Sequence, residues 1–138
     1  MSMWIEEELV GKRIVGARIK SPTVWLEVQC GGWIEITAEG DCCSEAFIDA
    51  VVVEREPTLS GKQESMAFPA EPTTQEVDEL IAVRFVGDNG HVSILHRNSS
   101  NGYYGNYLNV NSRGVPPEDA VNSKVWYRQV HKTQQETP

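Results

Sequence analysis

Long hydrophobic runs are missing from this sequence, and no apolar stretch approaches the ~20 residues that a helix needs to cross a bilayer. Residues 1–8 lack both the basic and the apolar region of a secretory signal peptide. Basic residues are scarce, since 12 lysines and arginines face 20 aspartates and glutamates, for a net charge of −8. Duplex nucleic acid is bound through dense cationic surfaces, which this balance disfavours. The sequence therefore predicts neither a membrane partner nor a duplex nucleic acid partner.

Cysteine and catalytic motifs are also sparse. The cysteines are Cys30, Cys42 and Cys43, and two neighbouring cysteines rarely form a disulfide with each other. We expect free thiols and a reducing, cytoplasmic compartment. The cysteines do not combine with His91 or His96 in the spacing of a zinc site, and no phosphate loop, dinucleotide fingerprint or nucleophile elbow is present. We predict a non-enzymatic protein with no catalytic residues, bound metal or cofactor; an enzyme built on Cys42 and Cys43 is the least favoured alternative.

The length and the hydrophobic pattern predict one mainly β domain over residues 1–138. Alternating apolar and polar residues indicate two three-stranded antiparallel meanders. The first meander comprises 13–20, 23–29 and 33–37, and the second comprises 77–86, 91–97 and 103–110. The expected architecture is a compact antiparallel sheet, curled into a barrel-like sandwich.

Other segments give weaker signals. Residues 57–76 hold three prolines and are long for a connection, so we predict a flexible loop or lid there. Residues 45–54 fit an extended segment with a helical or irregular start. The remaining predictions are short helices at 4–10 and 117–120, a last strand at 125–130 and a loose tail at 131–138.

The most unusual run in the chain lies between the last two strands of the second predicted meander, and it extends from Arg97 to Tyr104. A hairpin turn there needs only Asn101 and the glycine that follows it. The additional donors and acceptors, Arg97 and Asn98 among them, indicate a surface that recognises a polar, planar or anionic group. An arginine paired with a surface carboxylate is an equally weighted reading of Arg97.

Aromatic residues accompany this run. In a regular strand Tyr103 and Tyr104 point to opposite faces, so one is expected to be in the core and the other exposed for stacking. Arg84 and Phe85 lie on a neighbouring predicted strand. They make a pair similar to the tyrosine and cation of this run, so we expect an aromatic and a guanidinium to face the same pocket.

Three motifs together resemble a family of small phage- and prophage-borne proteins. The resemblance covers residues 9–110 and departs from the family pattern at Gly105 and Asn106. Its motifs are Leu9-Val10-Gly11-Lys12-Arg13-Ile14, Gly40-Asp41-Cys42-Cys43-Ser44-Glu45 and Ser100-Asn101-Gly102-Tyr103-Tyr104.

The same family is similar to the Thoeris anti-defence proteins of phages, which bind the cyclic ADP-ribose signal of bacterial TIR enzymes without cleaving it. That likeness implies a homo-oligomer in the host cytosol with nucleotide pockets between subunits, where arginines hold phosphates and an aromatic and an asparagine hold the base. The residues that suit these roles are Arg97, Asn98, Asn101, Tyr103, Tyr104, Phe85, Arg84 and Arg113.

The sequence thus predicts a phage-encoded anti-defence protein that sequesters a cyclic nucleotide immune signal. The alternative is an acidic protein–protein interaction module that docks on a host protein and inhibits it. Charge complementarity to a basic partner would speed that association.

Overall fold

The computed structural model describes residues 9–40, 45–69, 77–100, 106–111 and 114–128. These residues form two five-stranded antiparallel sheets. The first sheet has the strand order β8-β3-β2-β1-β9, and the second has the order β10-β4-β7-β6-β5. The strands are β1 (Ile14–Lys20), β2 (Thr23–Val28), β3 (Trp33–Gly40), β4 (Glu45–Glu54), β5 (Leu59–Pro69), β6 (Val77–Gly87), β7 (His91–Ser100), β8 (Asn106–Asn111), β9 (Val121–Asn122) and β10 (Val125–Tyr127).

The core lies between the two sheets and consists of aliphatic side chains from alternate strand positions. On β2, for example, Val24, Leu26 and Val28 point inward, as their spacing of two residues requires. The other principal members are Ile14, Ile19, Ile34, Ile36, Ile48, Val51, Val53, Val83, Phe85, Val92 and Ile94. The inner face of each sheet is therefore buried in the core, and a binding site is expected on the outer faces or at the strand ends.

The mainly β architecture is confirmed, and so is the first meander of β1, β2 and β3. The second predicted meander is wrong in one member. β8 leaves the second sheet and pairs with β3, with Val110 opposite Ile36. The meander of the second sheet is instead β5, β6 and β7.

The predicted loop or lid at 57–76 is wrong over Leu59–Pro69, which form β5 against β6. Its prolines do not interrupt the ladder, because Pro57 precedes the strand and Pro69 is its last residue. Gly61, with a φ of +90°, lies where the β5–β6 register shifts between Leu59 and Gln63. Residues 70–76 lie outside the described ranges.

The short helix predicted at 117–120 is wrong. Residues 117–120 form a turn, in which the Ala120 amide donates to the Pro117 carbonyl at 3.1 Å. Residues 45–54 are a strand from the start, with a bulge at Asp49 instead of a helical turn. The last predicted strand is confirmed as β10 over Val125–Tyr127. Residues 4–8 and the tail at 131–138 lie outside the described part of the chain.

An ion-pair cluster just after β4 predicts how the stability of the folded protein changes as the pH falls. Glu56 accepts from Nζ of Lys124 at 2.8 Å and faces the guanidinium of Arg13 at 3.5 Å. The hydrogen bond and charge of Lys124, with a smaller contribution from Arg13, lower the pKa of Glu56 below its ordinary value of 4.5. A lowered folded-state pKa stabilises the protein above pH 4.5, and this contribution is lost as the pH falls through the folded value.

Glu56→Gln is therefore expected to lower the melting temperature slightly at neutral pH and to leave it unchanged at low pH, where the carboxyl is protonated. Thermal melts from pH 7 to pH 3 measure this difference. Glu118→Gln is the matched control, since Glu118 is an exposed glutamate with no ion pair among the described residues. An equal effect of the Glu56 substitution at both pH values would show that its charge contributes nothing.

Candidate functional site on the outer face of the second sheet

Strand β4 carries the candidate site because it lies between β10 and β7 and has an outward-facing aromatic. Its inward side chains are Ile48, Val51 and Val53, which are buried in the core. Phe47 precedes Ile48 and points away from the core, where it is half-buried. Phe47 is thus placed on the outer face of the second sheet, with a neighbouring strand on each side.

Each side of Phe47 has a neighbouring arginine, Arg97 on β7 and Arg128 just after β10. Arg97 on β7 is directly opposite Phe47 in the antiparallel pair, where Cβ atoms are about 5 Å apart. Arg128, just after β10, places its guanidinium carbon 4.8 Å from the centre of the Phe47 ring. The Arg128 distance is within the range of a cation–π contact.

Arg128 is fixed in place by two contacts with Asp49. Its Nε donates to a carboxylate oxygen of Asp49 at 2.6 Å, and its backbone amide donates to the Asp49 carbonyl at 2.9 Å. Both side chains are largely buried, with 21% and 17% exposed. The side-chain contact uses only Nε, so the terminal amino groups of the guanidinium are not consumed by it.

The bulge in β4 explains how Asp49 reaches Arg128. The β4–β7 register shifts between Ile48 and Ala50, which leaves Asp49 without a paired residue on β7. A bulge of this kind re-aims the side chain of the extra residue. The carboxylate can therefore anchor the arginine that lies over Phe47.

The cluster defined by Phe47, Arg97, Arg128 and Asp49 can bind a flat anion. The ring offers a stacking surface, and the guanidinium groups offer planar forks that match phosphate or carboxylate oxygens. Asp49 holds one of these forks in a preset orientation, which reduces the ordering cost of binding. We call this cluster the Phe47 site.

The structure places only some of the predicted ligand residues. Arg97 is half-buried at the Phe47 site, and Asn98 follows it within β7. The strand continues to Ser100, so the polar run begins as β-structure and not as a turn. Asn101, Tyr103, Tyr104 and Arg113 lie outside the described residues.

The expected pocket shared by an aromatic and a guanidinium is not formed by Phe85 and Arg84. Phe85 is 2% exposed and belongs to the core. Arg84 is exposed on the outer face, 4.0 Å from the carboxylate of Glu64. Consecutive strand residues point to opposite faces, which separates the two side chains. Arg97 pairs with Leu80, four residues along β6 from Arg84, a distance of about 13 Å.

Sequence reasoning missed Phe47, Asp49 and Arg128. Asp49 and Arg128 are 79 positions apart in the chain, and nothing in either local pattern indicates the other. Phe47 gave a partial signal, because it is a large aromatic in a segment whose pattern fitted neither a clean strand nor a helix. Only the pairing of β10 with β4 brings these residues together.

Two further features of the described ranges concern metal binding and membranes. Among these residues no three histidine, cysteine or acidic side chains converge as metal ligands. None of the described helical structure is long and apolar enough to cross a membrane.

Comparison with known proteins gives one family. A family model described as a domain of unknown function, DUF7448, matches residues 7–110. Neither a curated protein nor a solved structure matches the chain. The matched segment includes Phe47, Asp49 and Arg97 and ends before Arg128.

Proposed function

The chain belongs to the DUF7448 family, and we propose that this member is a non-enzymatic protein that binds and sequesters a small anionic nucleotide. The observation that carries the proposal is the Phe47 ring with Arg97 opposite it and Arg128 over it. A base can stack on the ring while the guanidinium groups bind phosphate oxygens. A tight binder needs such fixed donors, because phosphate charge must be desolvated on an acidic protein.

We further propose that the nucleotide is a cyclic immune signal of the cyclic ADP-ribose type, captured intact in the cytosol of a phage-infected cell. Support comes from the resemblance of the Gly40–Glu45 and Ser100–Tyr104 motifs to phage-borne proteins. The chemistry is compatible, since a cyclic ADP-ribose carries one flat base and two linked phosphates. The Phe47 ring with Arg128 over it, and Arg97 opposite it on β7, supply the matching groups.

Self-association is part of this proposal, because the face around the Phe47 site is unusually apolar for an outer face. An antiparallel sheet with one solvated face normally alternates apolar and polar residues. Here many outward positions are apolar, and Met66, Val125 and Tyr127 are more than half exposed. The outward apolar residues are Phe47, Ala50, Val52, Met66, Leu80, Ala82, Val86, Leu95, Val125 and Tyr127.

The size and charge of this face suit a second copy of the chain. Five strands with a spacing of about 4.8 Å and a length of about six residues cover roughly 24 by 20 Å. That is of the same order as the ~800 Å² per partner in a standard interface. The described charged groups on this face include the pairs Arg84–Glu64 and Arg128–Asp49, in which the opposite charges balance. A dimer through this face would enclose the Phe47 site.

The binding proposal is tested by thermal shift of the purified protein against cyclic ADP-ribose isomers, cyclic di- and trinucleotides, NAD and ADP-ribose. A ligand at one hundred times its dissociation constant adds about 2.7 kcal/mol to the stability of the folded state. We expect a shift of several degrees with one cyclic nucleotide. A flat response across the panel would contradict the proposal.

The second candidate function is docking on a host protein, and the same apolar face favours it. Apolar surface of this extent on an isolated chain marks an interaction site. A host protein and a second copy would compete for this face. Salt-sensitive capture of a host protein, together with no nucleotide binding, would support docking in place of sequestration.

Leu95→Glu distinguishes the two uses of the face. Leu95 lies between Ala50 and Ala82 at the centre of the second sheet, and a buried unpaired charge costs several kcal/mol. We expect light scattering to show a dimer for the wild-type protein and a monomer for Leu95→Glu. Val121→Glu, at an exposed apolar position on β9 of the first sheet, should remain dimeric. A monomeric wild-type protein would assign the face to another partner.

A further inference from the structure

A separate cleft lies at one end of the sandwich. It has a volume of about 400 Å³, which is within the usual range of about 300–1,000 Å³ for small-molecule sites. Three segments form its walls: the stretch before β1, the end of β2 with its turn, and the start of β5. The lining residues are Val10, Gly11, Lys12, Arg13, Val28, Gln29, Cys30 and Thr58.

Backbone hydrogen bonds hold the walls of the cleft together. The Gln29 amide donates to the Arg13 carbonyl at 2.9 Å, and the Leu59 amide donates to the Lys12 carbonyl at the same distance. The Gly11 amide donates back to the Leu59 carbonyl at 2.8 Å. Because both walls bond to the segment that carries Lys12 and Arg13, the cleft is formed before any ligand binds.

The charge of the cleft differs from that of the whole chain. Arg13 pairs with Glu56, but Glu56 is shared with Lys124, its closer partner. The ammonium group of Lys12 has no ion pair within the described ranges. A second carboxylate near Arg13 is Asp88, which accepts from the Thr58 amide at 3.0 Å. Within the described part of the chain, Lys12 and Arg13 line the cleft and no carboxylate does, although the chain as a whole has a net charge of −8.

We propose that this cleft binds a phosphorylated small molecule, with Lys12 and Arg13 as the ligands of its phosphate groups. A lysine and an arginine that line one cleft can bind different oxygens of linked phosphates, the arginine as a planar fork and the lysine as a point charge. Val10 and Val28 supply apolar contacts for the rest of the molecule, and Gln29 and Thr58 supply hydrogen-bonding groups.

This cleft is distinct from the Phe47 site. Phe47 is near the start of β4, whereas Thr58 follows the end of that strand at Glu54. Seven residues of extended chain separate Phe47 from Glu54, a distance of roughly 20 Å. The two sites can therefore be tested independently, and failure of one leaves the other unaffected.

Cys30 provides a reporter for occupancy of the cleft, because its thiol is free, exposed and part of the lining. The experiment measures the rate at which iodoacetamide alkylates Cys30 in the full chain, resolved by peptide mass spectrometry. Inorganic pyrophosphate is the probe, titrated at constant ionic strength. We expect saturable protection, with a rate about tenfold lower at ten times the dissociation constant.

Matched variants assign the protection to the cleft. Lys12→Gln removes one charge-assisted contact and is expected to weaken pyrophosphate about tenfold. Lys62→Gln, at an exposed lysine on β5, should keep the wild-type protection. The absence of saturable protection at millimolar pyrophosphate would overturn the proposal, and so would equal protection in Lys12→Gln.

Discussion

Replacement of Arg97 by alanine is expected to abolish nucleotide capture and leave the sandwich folded. Arg97 lies opposite Phe47 on an outer face, so its replacement removes a proposed phosphate ligand without opening the core. Truncating one partner of a desolvated charge pair costs about 2–5 kcal/mol. Titration calorimetry against the ligand found by thermal shift measures the loss, and the melting temperature of the free variant reports whether it folds.

Arg84→Ala is the matched control for Arg97→Ala. Both arginines lie on the outer face of the second sheet, but only Arg97 is opposite Phe47. Capture should survive in Arg84→Ala and should be weakened in Arg97→Lys, because lysine keeps the charge and loses the planar fork. Equal loss in the Arg84 and Arg97 variants would mean that the whole face, and not the Phe47 site, governs binding.

The largest effect on stability is expected at the centre of the core. Ile94 is fully buried between Val51 on β4 and Val83 on β6, and all three face the first sheet. Ile94→Ala removes buried methyl groups and leaves a cavity, which costs about 2–5 kcal/mol. Urea denaturation of the wild-type protein and the variant measures this difference.

The adjacent position is the control for the Ile94 substitution. Leu95 follows Ile94 in β7 and points to the outer face, where it is only partly buried. Measured at concentrations where the protein is monomeric, Leu95→Ala is therefore expected to cost about 1 kcal/mol or less. If the two variants lost equal stability, the assignment of the core to the inner face would be wrong.

The local sequence pattern predicted those parts of the fold in which strands that are consecutive in the chain pair with each other. The alternation in β2 and the tight turn after it identify the first meander, and Asp88-Asn89-Gly90 identifies the β6–β7 hairpin. The pattern failed at β8, because periodicity shows that a segment is extended but not which strand it pairs with. The strand β5 was not predicted, because the prolines at its two ends favoured a loop.

The candidate site was less predictable than the fold. Arg97 could be identified because its neighbours are polar in excess of what a turn needs. Arg128 could not, since its role depends on a bulge at Asp49 and on a strand pairing between distant parts of the chain. Phe85 is an aromatic residue, as stacking requires. Its place in the alternation of β6 points it inward, however, so it lies in the core.

The Phe47 site and the apolar face belong to one surface, which links the binding and self-association proposals. Tyr127, an exposed residue of the apolar face, directly precedes Arg128 in the chain. It pairs with Ala50 on β4, and Ala50 directly follows Asp49. A second copy seated on this face would exclude water from the guanidinium groups and strengthen their contacts with phosphate. We therefore expect ligand and dimer to stabilise each other.

Recovery of the bound ligand is the most direct test of the central claim. The protein is incubated with cyclic ADP-ribose isomers, separated from free ligand and denatured, and the released compound is identified and quantified by mass spectrometry. The account predicts stoichiometric release of one intact cyclic nucleotide from the wild-type protein and none from Arg97→Ala. Release of a cleaved product would make the protein an enzyme, and retention of no compound would contradict nucleotide sequestration.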